Sequence, residues 1–424
     1  MAGALIRRLS ACGFGLALAV SGCGGGSSDG ELTLQLFGDA EEATVYEDLL
    51  DEYERRTGAS IDLINVPDQD AHYAKLSTSF AGGEPPDVFL ANFRNFGPYA
   101  DREALDPVGP RLDADPELER EDFYPQSLQA FTFGGALQCL PQNISSLVTY
   151  YNRDLFREAG LAEPPADWTF AQFEMAAARL TVDADGDGAA ERYGIGVEPS
   201  LVRAAGFVWA AGGEVVDETE DPTRMTLDTP GSRAGLESLI GLREAGWAPT
   251  REEAAARPLD ERFLDGTLGM FLSSRREVPT FRTIEDFEWD VAPFPAPSSG
   301  EPTAVLHSDG YCISRSGDSE AAWDFVRFAA GPDGQAILAR GGRTVPSLKV
   351  VANSPAFLDD QAPQSARVFL EAIPEIRLLP NAPRWPEVEK AVSLALEQAY
   401  YGDATLDETL ERIEAETSPL LGTG

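Results

Sequence analysis

The sequence predicts an α/β protein of two lobes, each a mostly parallel sheet flanked by helices. Two observations predict it. From Leu32 onward, short apolar strands alternate with amphipathic helices, the order that builds a parallel sheet covered by helices. The chain is also long: 424 residues, or about 400 once the first 22 are set aside, which exceeds one small core and fits two lobes.

The elements follow in order. Leu32 to Phe37 alternates as a strand. Glu41 to Arg56 has the helical period, with Val45, Leu49 and Tyr53 on one face and Gly58 as its stop. Ser60 to Val66 is a second strand, and Ala71 to Ala81 a helix ended by Gly82-Gly83. Pro85-Pro86 leads into the strand Asp87 to Ala91. Ligands on such sheets sit at the C-terminal strand ends, so the loops after Phe37 and Ala91 are candidate binding loops. A second unit opens near Ile144 with the strand Ser145 to Tyr151 and the helix Arg153 to Ala159. Thr169 and Gln172 form a capping box for a helix over Phe170 to Leu180. A strand at Tyr193 to Val197 and a helix at Leu201 to Ala211 follow, then helices near 232–245 and 260–264. Thr267 to Leu272 reads as a buried strand and Thr303 to Ser314 as extended chain. The remainder is mostly helical, ending with Trp385 to Tyr400 and Leu406 to Ile413.

The N-terminus carries an address. Arg7 and Arg8 precede an apolar run that ends in Val20-Ser21-Gly22-Cys23. A positive start, a short apolar stretch and small residues before a cut describe a secretory signal over 1–22. The apolar run is shorter than the about 20 residues that span a bilayer. Val-Ser-Gly-Cys resembles a bacterial lipobox, which marks Cys23 for lipidation. More than one acyl chain gives stable anchoring, and 23–30 reads as a flexible tether. The expected location is extracytoplasmic, on the outer face of the cell membrane.

Acidic residues number 71 against 33 basic ones, a formal charge of -38. Such a surface repels phosphate backbones and disfavours nucleic-acid binding. Of four cysteines, Cys139 and Cys312 remain in the exported chain, an even pair in an oxidising compartment. A disulfide between them would close a long loop and add roughly 4–5 kcal/mol; the alternative is two buried thiols. Asp183, Asp185 and Asp187 with Gly188 start like a calcium loop. The twelfth position is Gly194, so the bidentate Glu is missing and an Asx-rich turn is the preferred reading. No cofactor is expected.

Several stretches together resemble one family. They are Leu36-Phe37-Gly38-Asp39, then Gly83-Glu84-Pro85-Pro86-Asp87-Val88, then Leu140-Pro141-Gln142-Asn143 with 148–156. Asp167-Trp168-Thr169-Phe170, Trp209-Ala210-Ala211-Gly212-Gly213 and 266–270 follow. Asp309-Gly310-Tyr311-Cys312-Ile313, Pro332 with Gly334-Gln335, and 342–346 complete the order. The chain is similar to the maltose-binding-like solute-binding proteins of carbohydrate ABC transporters. The resemblance implies a type II periplasmic-binding-protein fold, with crossovers near 142–145, 306–309 and 344–347. It divides the chain into 31–142 with 308–345 as N-terminal lobe and 143–307 with 346–424 as C-terminal lobe. A sugar is held in the cleft between lobes joined by a hinge, and the protein docks as a monomer on membrane permease subunits.

Sugar hydroxyls suit Asp, Glu, Asn and Arg, and sugar C–H faces suit aromatic rings. Carried over by position, the resemblance implies Asp39 and Glu42 in the first loop and Asn92 and Arg94 in the second. Asn143 and Ser145 belong to the first crossover, and His307, Asp309 and Tyr311 to the second. Arg343 lies near the third, while Trp209 and Trp385 are the candidate stacking rings. The family places glycine and an aromatic ring after the Met270 strand. Here Ser273-Ser274-Arg275-Arg276-Glu277 stands instead, so Arg276 is a candidate for the cleft and an acidic or highly hydroxylated ligand comes into view.

No catalytic residues are assigned. Only His72 and His307 exist, and no Gly-x-Ser-x-Gly elbow, phosphate loop or Cys-x-x-Cys appears. The alternatives are a binding protein for a polyamine or peptide, and a secreted glycoside hydrolase.

Overall fold

The structure is a computed structural model that describes residues 32–186, 190–296 and 303–421. The signal, Cys23, the tether and Asp187 lie outside the described residues. Two sheets organise the chain. The first joins β1 (Leu32–Phe37), β2 (Ile61–Val66), β3 (Val88–Asn92), β4 (Cys139–Pro141) and β9 (Asp309–Ile313) in the order β2-β1-β3-β9-β4. The second joins β5 (Val148–Asn152), β6 (Tyr193–Gly196), β7 (Leu268–Ser273) and β8 (Trp289–Pro293) in the order β8-β5-β7-β6.

Both sheets are mixed, which corrects the expected mostly parallel arrangement. In the first, β1 runs parallel to β2 and β3, but β9 runs antiparallel to β3 and β4. In the second, β5 opposes both neighbours and only β6 and β7 are parallel. The cause is connectivity. Strand β9 enters the first sheet from the other lobe rather than through a right-handed βαβ crossover, so nothing forces it parallel.

Helix caps fix where the chain turns. Helix α1 (Ala40–Thr57) starts at Asp39, whose carboxylate accepts the Glu42 amide, and stops at Gly58 with φ 76°. Helix α2 (Gln69–Gly82) is capped by Asp68 in the same way. The capping box of Thr169 and Gln172 opens α3 (Phe170–Leu180). Helix α4 (Leu201–Ala210) is buried over nine of its ten residues and packs on α5 (Pro230–Glu244).

After β9 the chain forms α6 (Ser319–Ala329) and α7 (Pro332–Arg340), which pack on α1 and close the first lobe. It then crosses again, and α8 (Trp385–Tyr400) packs on α4 and α5 in the second lobe. Three passes thus link the lobes side by side. The Ser145 and His307 amides exchange hydrogen bonds with each other's carbonyls at 2.8 and 2.9 Å. The Ile144 amide donates to the Val345 carbonyl at 2.9 Å. Cys139 and Cys312 face each other across β4 and β9 and are joined by a disulfide. No helix among the described residues is long and apolar enough to cross a membrane.

Candidate functional site

A cleft of about 410 Å³ opens where the three passes meet. Its walls come from the C-terminal ends of β1 and β3, the crossovers, α4 and the segment after β7. The structure brings ten of the expected residues to it: Asp39, Glu42, Asn92, Arg94, Asn143, Ser145, Arg276, His307, Asp309 and Arg343.

The floor is Asp309. Its first carboxylate oxygen accepts from Asn92 Nδ2 at 3.0 Å and its second from Asn143 Nδ2 at 3.2 Å. Asn143 Oδ1 accepts the Asp309 amide in return, at 2.9 Å. Burial pushes the Asp309 carboxyl up, against the pull of Asn143, Asn92 and the nearby arginines.

One end is acidic and braced. Arg343 donates to Asp39 at 2.5 Å and lies 2.8 Å from Glu42. The two carboxylates respond differently. Partial burial raises Asp39, but the Glu42 amide and Arg343 outweigh it and hold it low. Burial dominates at Glu42 and pushes it to about 7 despite Arg343, with Asp309 and Asp39 adding repulsion.

The other end is basic. Arg203, on α4, pairs with Glu198 at 2.7 Å. Arg276 reaches the same Glu198 at 3.2 Å and Glu277 at 2.7 Å. Arg94 comes across from the first lobe and pairs with Glu389 on α8. Burial, then the fields of Arg203, Arg94 and Arg276, push His307 well below its ordinary value, so it is neutral at pH 7.

Three expected residues lie elsewhere. Trp209 is 2% exposed, and the Arg377 guanidinium lies over its ring at 4.5 Å, in a separate groove of about 240 Å³ that also contains Glu214. The side chain therefore packs rather than stacks in the cleft. Trp385 is fully buried at the start of α8 and does not line the cleft. Tyr311 lies beneath the floor, its hydroxyl accepting from Gln142 Nε2 at 3.1 Å in a buried cluster with Tyr46. Asp183 accepts the Gly186 amide at 2.8 Å, a local side-chain to backbone bond three residues on.

Sequence reasoning missed Arg203, Arg275 and the neighbouring Phe37, Asp68 and Gln69. Arg203 left a signal, because it is the one charge in the helix Leu-Val-Arg-Ala-Ala-Gly-Phe-Val-Trp-Ala. Arg275 is 1% exposed, with its guanidinium 4.3 Å from the centre of Phe357 and 5.2 Å from that of Phe369.

Comparisons with known proteins agree with this architecture. The family model described as bacterial extracellular solute-binding protein matches residues 38–336. An uncharacterized lipoprotein of Streptomyces antibioticus is 26% identical over 418 residues, covering 92% of this chain and 87% of its own. An ABC substrate-binding protein from Listeria monocytogenes, solved in complex with cycloalternan, superposes with a TM-score of 0.84 at 22% identity, over 93% of this chain and 99% of its own. UgpB from Mycobacterium tuberculosis, solved in complex with glycerophosphocholine, gives 0.79 at 21% identity, over 91% and 97%. At those identities the two structures speak for the fold alone.

Proposed function

The chain belongs to the bacterial extracellular solute-binding proteins, and on that premise we propose that it captures a sugar or oligosaccharide between its lobes and hands it to an ABC permease. The observation that carries the reading is the interlobe cleft itself. It is lined by carboxylates, amides and guanidinium groups from both lobes and from the crossovers. Such side chains match hydroxyls that both donate and accept. The cycloalternan bound by the Listeria protein supports a carbohydrate as ligand.

The family works outside the cytoplasm. We further propose lipidation at Cys23, which keeps the receptor beside its transporter and raises its effective concentration there. The proposed lobes are 31–142 with 308–345 and 143–307 with 346–424, and the narrow strap of crossovers is their hinge. The protein acts as a monomer and performs no catalysis. Its ligand-contacting residues are the ten expected ones that line the cleft, together with Arg203.

Melting temperature across a sugar panel tests the reading, since a ligand stabilises the state it binds by mass action. Stabilisation by an intact sugar is expected. Release of product from a glycoside, or stabilisation only by cationic amines or peptides, would overturn it.

A further inference from the structure

The buried cleft atoms left without any partner lie mainly on guanidinium groups. Among the described residues, the buried side-chain atoms that line it without a partner are Arg94 Nε, Arg203 Nε, His307 Nε2 and all three guanidinium nitrogens of Arg275. Five of the six belong to guanidinium groups, which can only donate, and Nε2 of the neutral His307 donates or accepts according to its tautomer. On the acceptor side, each oxygen of Asp309 takes one hydrogen bond, from Asn92 and Asn143, and each of Asp39 takes one, from the Glu42 amide and Arg343, which leaves lone pairs for hydroxyl donors.

The charge balance at this end points the same way. Arg94, Arg203, Arg275 and Arg276 face three carboxylates, Glu389, Glu198 and Glu277. Arg275 is the cation left over. Burial lowers its guanidinium only to about 10, so it stays charged at neutral pH; it lies against Phe357 and Phe369, and the carboxylate whose field reaches it, Asp359, is ion-paired with Arg282. A buried cation without a counter-ion is costly, and an anion placed beside it relieves that cost. The polar solute that completes this site is rich in acceptors and carries negative charge.

We propose that the solute carries an oxyanion, a carboxylate or a phosphate, held at the Arg203, Arg276 and His307 end of the cleft with Arg94 reaching it from the first lobe. Guanidinium groups suit this task because their planar donor forks match carboxylate and phosphate oxygens. The acidic end, braced by Arg343, takes the hydroxyls of the same molecule. Arg94, already paired with Glu389 across the lobes, offers its unpartnered Nε from the first lobe to a group seated on the second. This inference rests on the solute-binding reading and narrows its substrate class to acidic or phosphorylated sugars.

The test is calorimetric titration of the full mature chain at fixed pH and ionic strength, with glucose, maltose, glucuronate, glucose 1-phosphate and inorganic phosphate as probes. Glucuronate or glucose 1-phosphate is expected to bind at least about tenfold tighter than glucose, and which of the two does so identifies the anion. Arg203→Gln and Arg276→Gln should each weaken that binding roughly tenfold to a hundredfold, the range for hydrogen bonds to charged groups. Arg276 is half exposed, so Arg276→Gln carries the test if Arg203→Gln fails to fold. Glucose or maltose binding as tightly as the charged probes overturns the inference and leaves the sugar reading standing. Charged-probe affinity unchanged in both variants also overturns it. Binding of inorganic phosphate but of no sugar supports the oxyanion site and overturns the sugar reading.

Discussion

Arg94, at the end of β3 in the first lobe, is ion-paired with Glu389 on α8 in the second. The two side chains are 10% and 21% exposed, so the pair is partly shielded from solvent and from salt screening. It ties the lobes together beside the polar cleft, which Arg94 lines. A contact made only when the lobes are close favours the closed state by its own free energy.

Glu389→Gln removes that tie. The account expects a shift toward the open state and several-fold weaker ligand affinity, about 1 kcal/mol. Small-angle scattering should show a larger radius of gyration in the variant without ligand. An unchanged radius and unchanged affinity would remove Glu389 from the closure account.

Glu42 makes stability depend on pH. Its carboxyl is at about 7 in the folded chain against 4.5 for a free side chain. Below about 4.5 both states hold the proton and nothing is lost. Between about 4.5 and 7 the unfolded chain releases it while the folded chain keeps it, so stability falls as pH rises. The full penalty, about 3 kcal/mol, is present above 7. Glu42→Gln should flatten this part of the stability profile in urea unfolding. An identical slope in variant and wild type contradicts the assignment.

The Cys139–Cys312 bridge closes a loop across 173 residues of sequence. On the chain-entropy model it stabilises the folded state by about 5 kcal/mol. The double variant Cys139→Ser, Cys312→Ser should unfold at clearly lower urea with its cleft intact. A coincident unfolding curve would mean the bridge contributes nothing.

Trp209 tests the boundary of the site. It is covered by Arg377 and lies outside the cleft. Trp209→Phe is expected to lower the melting temperature slightly and leave ligand affinity as it is. A tenfold or greater loss of affinity would return Trp209 to the binding machinery.

Much of the fold was legible because it is local. The helices Phe170–Leu180 and Trp385–Tyr400 fall where the capping box and the apolar period put them, and Leu32–Phe37 is the strand its alternation predicts. Strand direction was not legible, because β9 and β5 take their sense from the interlobe crossovers rather than from their own residues. The polar half of the site was readable from loops at strand ends, as with Asp39 and Asn92. The aromatic half was not. Periodicity cannot say whether Trp209 faces the cleft or Arg377, since that depends on a side chain 168 residues later in the chain. Arg203 is legible only as the lone charge of an apolar helix, which burial obliges to take a partner, here Glu198.

Asp309, at the cleft floor, offers the most direct test of the central claim that the interlobe cleft is the solute site. The measurement is calorimetric titration of wild type and Asp309→Ala with whichever sugar raises the melting temperature most. The account predicts one saturable site in the wild type. It also predicts a loss of affinity of roughly tenfold or more in the variant, as expected when a buried hydrogen-bonding carboxylate is removed, with the far-UV spectrum retained. Equal affinity in the two folded proteins would place the ligand elsewhere and contradict the account.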